Sequence, residues 1–227
     1  MSVLPNIKLL QQKISYQFSD VKRLELALTH RSANSQHNER LEFLGDAILG
    51  SVIAHQLFTQ FPHADEGQLS RLRAFLVKEK ALFELAQELN IGDFLRLGGG
   101  ELKSGGFRRA SILSDTFEAI IGAVYLDSDY VTVQNYILNI YRDNLSALSL
   151  DMAQKDPKTR LQEWLQSRNK SIPDYQVVRS SGKDHAKVYW VNCKIEYKSI
   201  ESEGKGASRR RAEQDAASKI LEKLING

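Results

Sequence analysis

The sequence predicts a mainly helical protein with two domains. The first is an all-helical domain over residues 1–150, the second is a small α-β-β-β-α domain over 156–227, and a linker at 151–155 joins them. Three observations lead to this prediction. Apolar residues recur at three- and four-residue spacing through most of the first 150 positions. From Tyr175 onward the period shortens to two, as in strands. A polar stretch without a clear apolar face separates the two patterns.

Composition places the chain among soluble globular proteins. Hydrophobic residues make up 42% of its 227 positions, and the most apolar run, 47–54, is too short to span a membrane. The N-terminus does not resemble a signal peptide, so we expect a cytoplasmic protein without a membrane partner. The single cysteine and the five histidines show no zinc spacing. Neither zinc nor a small-molecule cofactor is expected.

Charge is distributed unevenly along the chain. Residues 1–154 carry 15 Lys and Arg against 18 Asp and Glu, whereas residues 155–227 carry 16 against 10. A compact basic module attached to a slightly acidic body suggests a polyanion partner for that module. The alternative is a solvated basic surface without a partner.

The first segment with candidate catalytic residues is a predicted helix over 38–61. At about 100° per residue, three acidic residues fall within roughly 60° of one another on one face. They are Glu39, Glu42 and Asp46. Apolar residues cover most of the remaining surface, so we expect this helix at the centre of its domain. Carboxylates are costly to bury there.

A second predicted helix, over 111–125, places Asp115 and Glu118 on one face of an otherwise apolar surface. If the two helices pack together, four carboxylates come close to one another. Clustered acids repel and are expensive to desolvate, so the cluster favours a bound cation. Oxygen ligands suit Mg²⁺, with Mn²⁺ as an alternative, and such an ion activates water near a phosphodiester.

Each acidic pair also has an ordinary explanation. Acids at helical spacing are often a solvated face or partners in ion pairs, here with Arg40 or Arg71. The apolar surroundings on both helices argue against simple exposure.

Between the two acidic helices lies a glycine-rich segment, 92–106. It contains Lys103-Ser104, but it lacks the glycine spacing and the preceding strand of a phosphate-binding P-loop. We predict a flexible basic loop here.

The segment Glu39-Arg40-Leu41-Glu42-Phe43-Leu44-Gly45-Asp46 closely resembles the signature of the ribonuclease III family. The resemblance spans almost the whole chain and continues in Asp65-Glu66-Gly67, Ser70-Arg71-Leu72-Arg73-Ala74, Gly105-Gly106-Phe107-Arg108-Arg109 and Asp115-Thr116-Phe117-Glu118-Ala119. It implies a ribonuclease III-like catalytic domain that is helical, forms a homodimer and cuts double-stranded RNA. The implied substrates are structured precursors such as ribosomal RNA and some messenger RNAs.

The resemblance also implies a role for each acid. Four are metal ligands: Glu42, Asp46, Asp115 and Glu118. Asp46 and Glu118 are the most critical of these for catalysis, and Glu39 and Glu66 support the site. The expected reaction is attack of a metal-activated water on phosphorus without a protein nucleophile. Its products carry a 5′ phosphate and a short 3′ overhang.

The C-terminal α-β-β-β-α order resembles the double-stranded RNA-binding domain. Residues that match its RNA contacts are Gln162, Glu163, His185, Lys205, Ser208, Arg209 and Arg210. The arginine run 209–211 opens the last helix, where cations left uncompensated oppose the helix dipole and a phosphate would relieve them. Glu213 departs from the pattern, because many such domains carry a second lysine or arginine at this position.

Two other functions compete with this interpretation. One is an RNA-binding scaffold whose nuclease-like domain is inactive, which the intact set of carboxylates argues against. The other is a metal-dependent phosphohydrolase of small nucleotides, which the basic C-terminal module argues against.

Overall fold

A computed structural model describes residues 7–182 and 187–226 of the chain, with the backbone alone for 225 and 226. Contacts divide the chain into two compact units, Met1–Ala153 and Gln154–Gly227. The first is helical and the second contains a three-stranded antiparallel sheet, so the predicted fold class is confirmed. The residues 151–153 of the predicted linker pack with the first unit, because the buried Ala153 accepts a hydrogen bond from Arg71 Nε at 2.6 Å.

Unit 1 is built from nine helices over its described residues. They are α1 (Ile7–Lys13), α2 (Val21–Ala27), α3 (Glu39–Gln60), α4 (Glu66–Val77), α5 (Glu79–Glu88), α6 (Gly99–Lys103), α7 (Ala110–Asp127), α8 (Tyr130–Ile140) and α9 (Arg142–Ser146). Local signals fix some of the ends. Asp65 and Gln68 form a capping box at the start of α4, in which each backbone N–H donates to the other side chain.

Helices α3 and α7 cross in the core of unit 1 with their backbones nearly in contact. A Cβ atom added to Gly45 would lie 1.8 Å from the carbonyl oxygen of Glu118, and one added to Gly122 would lie 2.3 Å from that of Leu41. Only glycine permits this approach. Among the described residues, α3 is the one helix long and apolar enough to cross a membrane, but here it is a core helix packed on α7.

The prediction of a flexible loop over 92–106 was wrong. The segment contains a 3₁₀ turn at Ile91–Phe94, helix α6 and part of a second 3₁₀ turn at Gly106–Arg108. Contacts with the region after α2 hold it in place: the backbone of Arg96 bonds to Leu28 and His30, and Gly98 N–H donates to Ser32 Oγ at 3.0 Å. The sequence pattern could not indicate these contacts, because the two partners of each contact are far apart in the sequence.

Unit 2 has the predicted α-β-β-β-α order. Its elements are α10 (Pro157–Gln166), β1 (Asp174–Ser181), β2 (Val188–Ile195), β3 (Ile200–Gly206) and α11 (Arg209–Asn226). The strands pair in the order β1-β2-β3, with Tyr175 opposite Cys193 and Val191 opposite Gly204. Alternate residues of β2 and the apolar stripe of α11 contribute to the second core, together with residues of α10.

Glycines allow α11 to pack directly on β3. A Cβ atom at Gly204 would lie 2.2 Å from the carbonyl oxygen of Ala212, and one at Gly206 would lie 2.6 Å from Ala212 N. This close backbone contact fixes the start of α11 against the end of the sheet.

Candidate active site and RNA-binding surface

The crossing of α3 and α7 brings three of the predicted metal ligands together. One carboxylate oxygen from each of Glu42, Asp115 and Glu118 lies within 4.8 Å of the other two. Glu42 lies three residues before Gly45, and Glu118 is the residue whose carbonyl Gly45 contacts. The glycine contact thus determines how far apart the carboxylates of the two helices lie.

Asp46, the fourth predicted ligand, lies beside this group rather than inside it. Its side chain is exposed and lines a shallow depression with Gly50, Ser51 and Arg73. It is nevertheless close enough for its charge to raise the pKa of both Glu118 and Glu42. The four acids therefore form one electrostatic unit, in which three carboxylates are half-buried and that of Asp46 is exposed.

Burial is the main cause of the shifted pKa values in this cluster. It raises the pKa of Glu118 to about 8, and the negative charges of Asp46, Asp115 and Glu42 act in the same direction. The pKa values of Glu42 and Asp115 are also raised, first by burial. Carboxylates that are this costly to ionise together favour a bound cation, which would offset the repulsion.

The two supporting acids lie in different places. Glu39 is exposed and pairs with Arg31 at 3.2 Å, and it lines the same cleft as Glu42 and Asp115. Glu66, the first residue of α4, accepts a hydrogen bond from Ser70 Oγ at 2.7 Å and lines a separate depression with Phe58. No contact among the described residues joins Glu66 to the cluster.

The arginines considered as alternative partners of the acids lie elsewhere. Arg71 donates to the carbonyl of Ala153, and Arg40 lines an apolar depression with Leu26 and Leu126. The explanation of the acidic pairs as ion pairs with these two residues is therefore not supported.

A cleft of about 570 Å³ beside the acids contains cations that the sequence reading did not single out. Arg31 and Arg109 line it together with His30. Arg109 is held by Glu101 at 2.7 Å, which the turn of α6 places opposite it. In the sequence, only the pair Arg108-Arg109 just before α7 indicated cations near the acids. The ion pair between Arg109 and Glu101 could not be predicted, because Glu101 was assigned to a loop.

In unit 2, the start of α11 carries the predicted arginine run. Ser208 Oγ accepts a hydrogen bond from Arg211 N–H at 3.3 Å, so the predicted cap is present. Two of the three arginines have an acid nearby. Arg209 donates to the buried Glu213, and the pKa of Asp156 is lowered in part by Arg210, although burial opposes that shift.

The other predicted RNA contacts are spread over several elements. Gln162 and Glu163 are exposed on α10, where Glu163 pairs with Lys155. The ammonium of Lys205 lies 5.3 Å from the ring centre of Trp190 on the sheet, whereas Arg209 extends from α11. His185 lies outside the described residues.

Comparison with known proteins gives a family for each of the two units. The family model described as Ribonuclease-III-like matches residues 20–145, and the model of the double-stranded RNA binding motif matches residues 157–224. The protein named Ribonuclease 3 from Vibrio vulnificus (strain YJ016) is 55% identical over 221 residues, which cover 97% of this chain and 98% of the relative. This chain belongs to the ribonuclease III family. Another Ribonuclease 3, from Marinomonas sp. (strain MWYL1), is 56% identical over 95% of each chain.

Solved structures lead to the same family. The nuclease domain of ribonuclease III from Campylobacter jejuni superposes with a TM-score of 0.61 at 43% identity, covering 64% of this chain and 99% of that one. The predicted membership is confirmed, and the chain is a ribonuclease III-type endoribonuclease with a double-stranded RNA-binding domain. In this ribonuclease III, the matched ranges place all four predicted metal ligands in unit 1 and the arginine run in unit 2.

Proposed function

We propose that this ribonuclease III hydrolyses double-stranded RNA at the cluster formed by Glu42, Asp46, Asp115 and Glu118. The observation that carries the proposal is the close approach of three carboxylates from two core helices, all with raised pKa values. Such a donor set fits Mg²⁺, with Mn²⁺ as an alternative, because both prefer oxygen ligands. When bound, a divalent cation of this kind neutralises phosphodiester charge and makes water more acidic.

The acids of the cluster and the arginines of the cleft have different roles in the proposed reaction. Glu42, Asp115 and Glu118, whose carboxylates lie together, would hold the cation. Asp46 is exposed and faces the solvent from which water and substrate arrive, so together with Glu118 it is the proposed catalytic pair. Phosphorus loses its bond to the 3′ oxygen, and water supplies the new oxygen of a 5′ phosphate. Arg31 and Arg109, lining the adjacent cleft, are suited to bind neighbouring phosphates.

We propose that unit 2 holds the duplex by its shape. Gln162 and Glu163 extend from α10 toward 2′-hydroxyl groups in a minor groove, and Ser208, Arg209 and Arg210 meet phosphates at the start of α11. Lys205 and His185 complete the proposed contact set. Because phosphate contacts release counterions, binding should weaken steeply as salt rises.

A homodimer through unit 1 is part of the proposal. Phe43 and Phe58 on α3 are 79% and 70% exposed, and their spacing puts them on neighbouring sides of the helix. Large exposed aromatic side chains on a core helix favour association. A second Campylobacter jejuni structure, 45% identical over 61% of this chain and 98% of that one with a TM-score of 0.60, concerns a region involved in dimer formation of the nuclease domain. Two sites in one dimer would cut both strands and leave the short 3′ overhang.

One experiment tests the main proposal and both rivals. A long synthetic RNA duplex, incubated with the protein in Mg²⁺ or in EDTA, should be cut in Mg²⁺ alone into fragments with 5′ phosphates. Glu118→Gln should retain duplex binding and lose cleavage. Binding without cleavage by the unaltered protein would support the inactive scaffold, and hydrolysis of mononucleotides in place of duplex would support the small-nucleotide enzyme. In the cell, we propose structured cytoplasmic precursors such as ribosomal RNA as substrates.

A further inference from the structure

Glu213 is a buried carboxylate of unit 2 that lies among the cations of the proposed RNA-binding surface. It is 7% exposed and sits one turn into α11. Lys158 Nζ donates to its Oε2 at 2.6 Å, and Arg209 Nε donates to its Oε1 at 3.1 Å. One acid therefore links the first turn of α10 to the first turn of α11 through two cations.

The two cations are held in different ways. The Lys158 ammonium also lies 4.5 Å from the ring centre of Tyr175, so it contacts both Glu213 and β1 while its side chain is 38% exposed. Arg209 bonds to Glu213 through Nε, and its side chain remains 63% exposed. An arginine bound at Nε keeps its two terminal Nη groups for another acceptor, because its donors are spread around a planar fork.

The charge of Glu213 is maintained by these contacts. Burial alone would raise its pKa, but Lys158 and Arg209 together lower the pKa below the ordinary value. Buried ion pairs contribute little net stability, since desolvation offsets their attraction. The two contacts instead fix the geometry of the Glu213, Lys158 and Arg209 side chains.

We propose that Glu213 is a positioning residue that orients Arg209 toward a phosphate of duplex RNA. The inference rests on the RNA-binding function proposed for unit 2. The negative charge of Glu213 repels the RNA backbone and by itself weakens binding. Glu213 therefore favours binding only if the orientation that it gives Arg209 contributes more affinity than this repulsion removes. A lysine or arginine at this position would contact a phosphate directly, whereas Glu213 acts on a phosphate contact only through Arg209.

The first test leaves the buried acid in place. Arg209→Lys preserves the formal charge, but an ammonium group lacks the planar fork that lets Nε bond Glu213 while both Nη groups are presented to a phosphate. We expect the full-length variant to bind a synthetic RNA duplex in EDTA about fivefold to tenfold more weakly than the unaltered protein. Affinity within twofold of the unaltered protein would overturn the proposal.

The second test removes the acid. Glu213→Gln adds one unit of positive charge, so long-range attraction alone predicts tighter binding. We expect weaker binding instead, by about fivefold, and a slope of log affinity against log salt that is smaller in magnitude by about one. The control is Glu222→Gln, which makes the same charge change at an exposed position of the same helix. It should bind as tightly as the unaltered protein or slightly more tightly.

A double variant separates positioning from general stability. If Glu213 acts through Arg209, then adding Glu213→Gln to Arg209→Ala should cause no further loss. An equal loss in both backgrounds, or tighter binding by Glu213→Gln alone, would contradict the proposal. Circular dichroism checks that unit 2 is folded, and if Glu213→Gln unfolds it, Arg209→Lys decides. Absence of duplex binding by the unaltered protein would instead refute the function proposed for unit 2.

Discussion

At the scale of single residues, Glu118 is the most deeply buried of the three clustered acids. Its ionised form is opposed by burial and by three neighbouring carboxylates. The sequence indicated this cost, because Asp115 and Glu118 share one face of an apolar helix. It could not indicate the separate position of Asp46, which depends on how α3 turns relative to α7. Nor could it reveal Arg31 and Arg109, whose positions depend on contacts between distant segments.

The repulsion in the cluster leads to a prediction about stability. The fold raises the pKa of Glu118 to about 8, so at pH 7.5 without a cation the unfolded chain, in which this carboxyl group ionises freely, is favoured. Glu118→Gln removes this effect, so in EDTA it should raise the free energy of unfolding by about 1–3 kcal/mol. In saturating Mg²⁺ the gain should disappear, since the cation stabilises the unaltered protein more. Chemical denaturation under both conditions measures this. If Glu118→Gln were less stable than the unaltered protein in EDTA, the clustered carboxylates would not be destabilising one another.

A second prediction concerns the affinity for the cation. Glu42→Gln replaces one proposed ligand by a neutral group, so the Mg²⁺ concentration for half-maximal cleavage should rise by about tenfold or more. Glu84→Gln is the matched control, because Glu84 is exposed on α5 and pairs only with Lys80 among the described ion pairs. An unchanged Mg²⁺ requirement in Glu42→Gln would remove Glu42 from the ligand set.

At the scale of secondary structure elements, the long helices were predictable because each carries a full apolar stripe. Helices α3 and α7 begin and end within two residues of their predicted limits, and α11 begins with the arginine run, as predicted. Helix α6 was missed because five residues are too few for a periodic signal, and contacts from distant residues hold it. Alternation predicts the first strand over 175–179. The observed β1 is longer at both ends, since its pairing with β2 continues through exposed residues that carry no apolar signal.

The crossing of α3 and α7 supplies a prediction at this scale. Gly45→Ala would place a methyl group 1.8 Å from the Glu118 carbonyl oxygen, so the helices must separate. We expect a loss of about 3 kcal/mol in stability and a loss of cleavage. Gly50→Ala is the matched control on the same helix, because an added Cβ there meets nothing within 4 Å. It should be active and slightly more stable, as alanine favours helix. Cleavage by Gly45→Ala would show that the distance between α3 and α7 can change without loss of activity.

The end of α7 is tied to the segment before α2 by Asp127. Its carboxylate accepts hydrogen bonds from Ser19 N–H at 2.7 Å, Asp20 N–H at 3.0 Å and Tyr16 O–H at 3.1 Å, and Arg23 Nε lies 3.6 Å away. Burial by itself would raise the pKa of Asp127, but these groups hold it below the ordinary value.

A pH dependence follows from this lowered pKa. A carboxyl group with a lowered folded-state pKa stabilises the fold above its unfolded pKa of about 3.9, and the contribution is lost as pH falls through the folded value. Unit 1 should therefore lose stability on acidification below about pH 4. In Asp127→Asn the protein should be about 2 kcal/mol less stable at pH 7 and should lose less on acidification. Thermal unfolding between pH 3 and 7 measures both, and parallel curves would contradict the assignment.

At the scale of the whole molecule, each unit has its own buried core and should fold separately. The change from helical to alternating pattern made this division predictable from sequence. We expect the fragment 154–227 to bind duplex RNA without metal. The fragment 1–153 should cleave duplex RNA in Mg²⁺ with weaker affinity than the full chain, but its log affinity should fall less steeply with log salt, because it lacks the phosphate contacts of unit 2. Salt titrations of cleavage by the fragment and the full chain test this. Equal salt sensitivity would mean that unit 2 does not contribute to substrate affinity.

The backbone contact at Gly45 has a consequence for how activity disappears. Main-chain atoms, unlike side chains, cannot change rotamer to absorb a small disturbance. The separation of the acids should therefore stay constant while the surrounding core is weakened, until the helices come apart in a single cooperative step. Under increasing denaturant, catalytic turnover and helical signal should then fall together, with no range in which a folded enzyme is partly disabled.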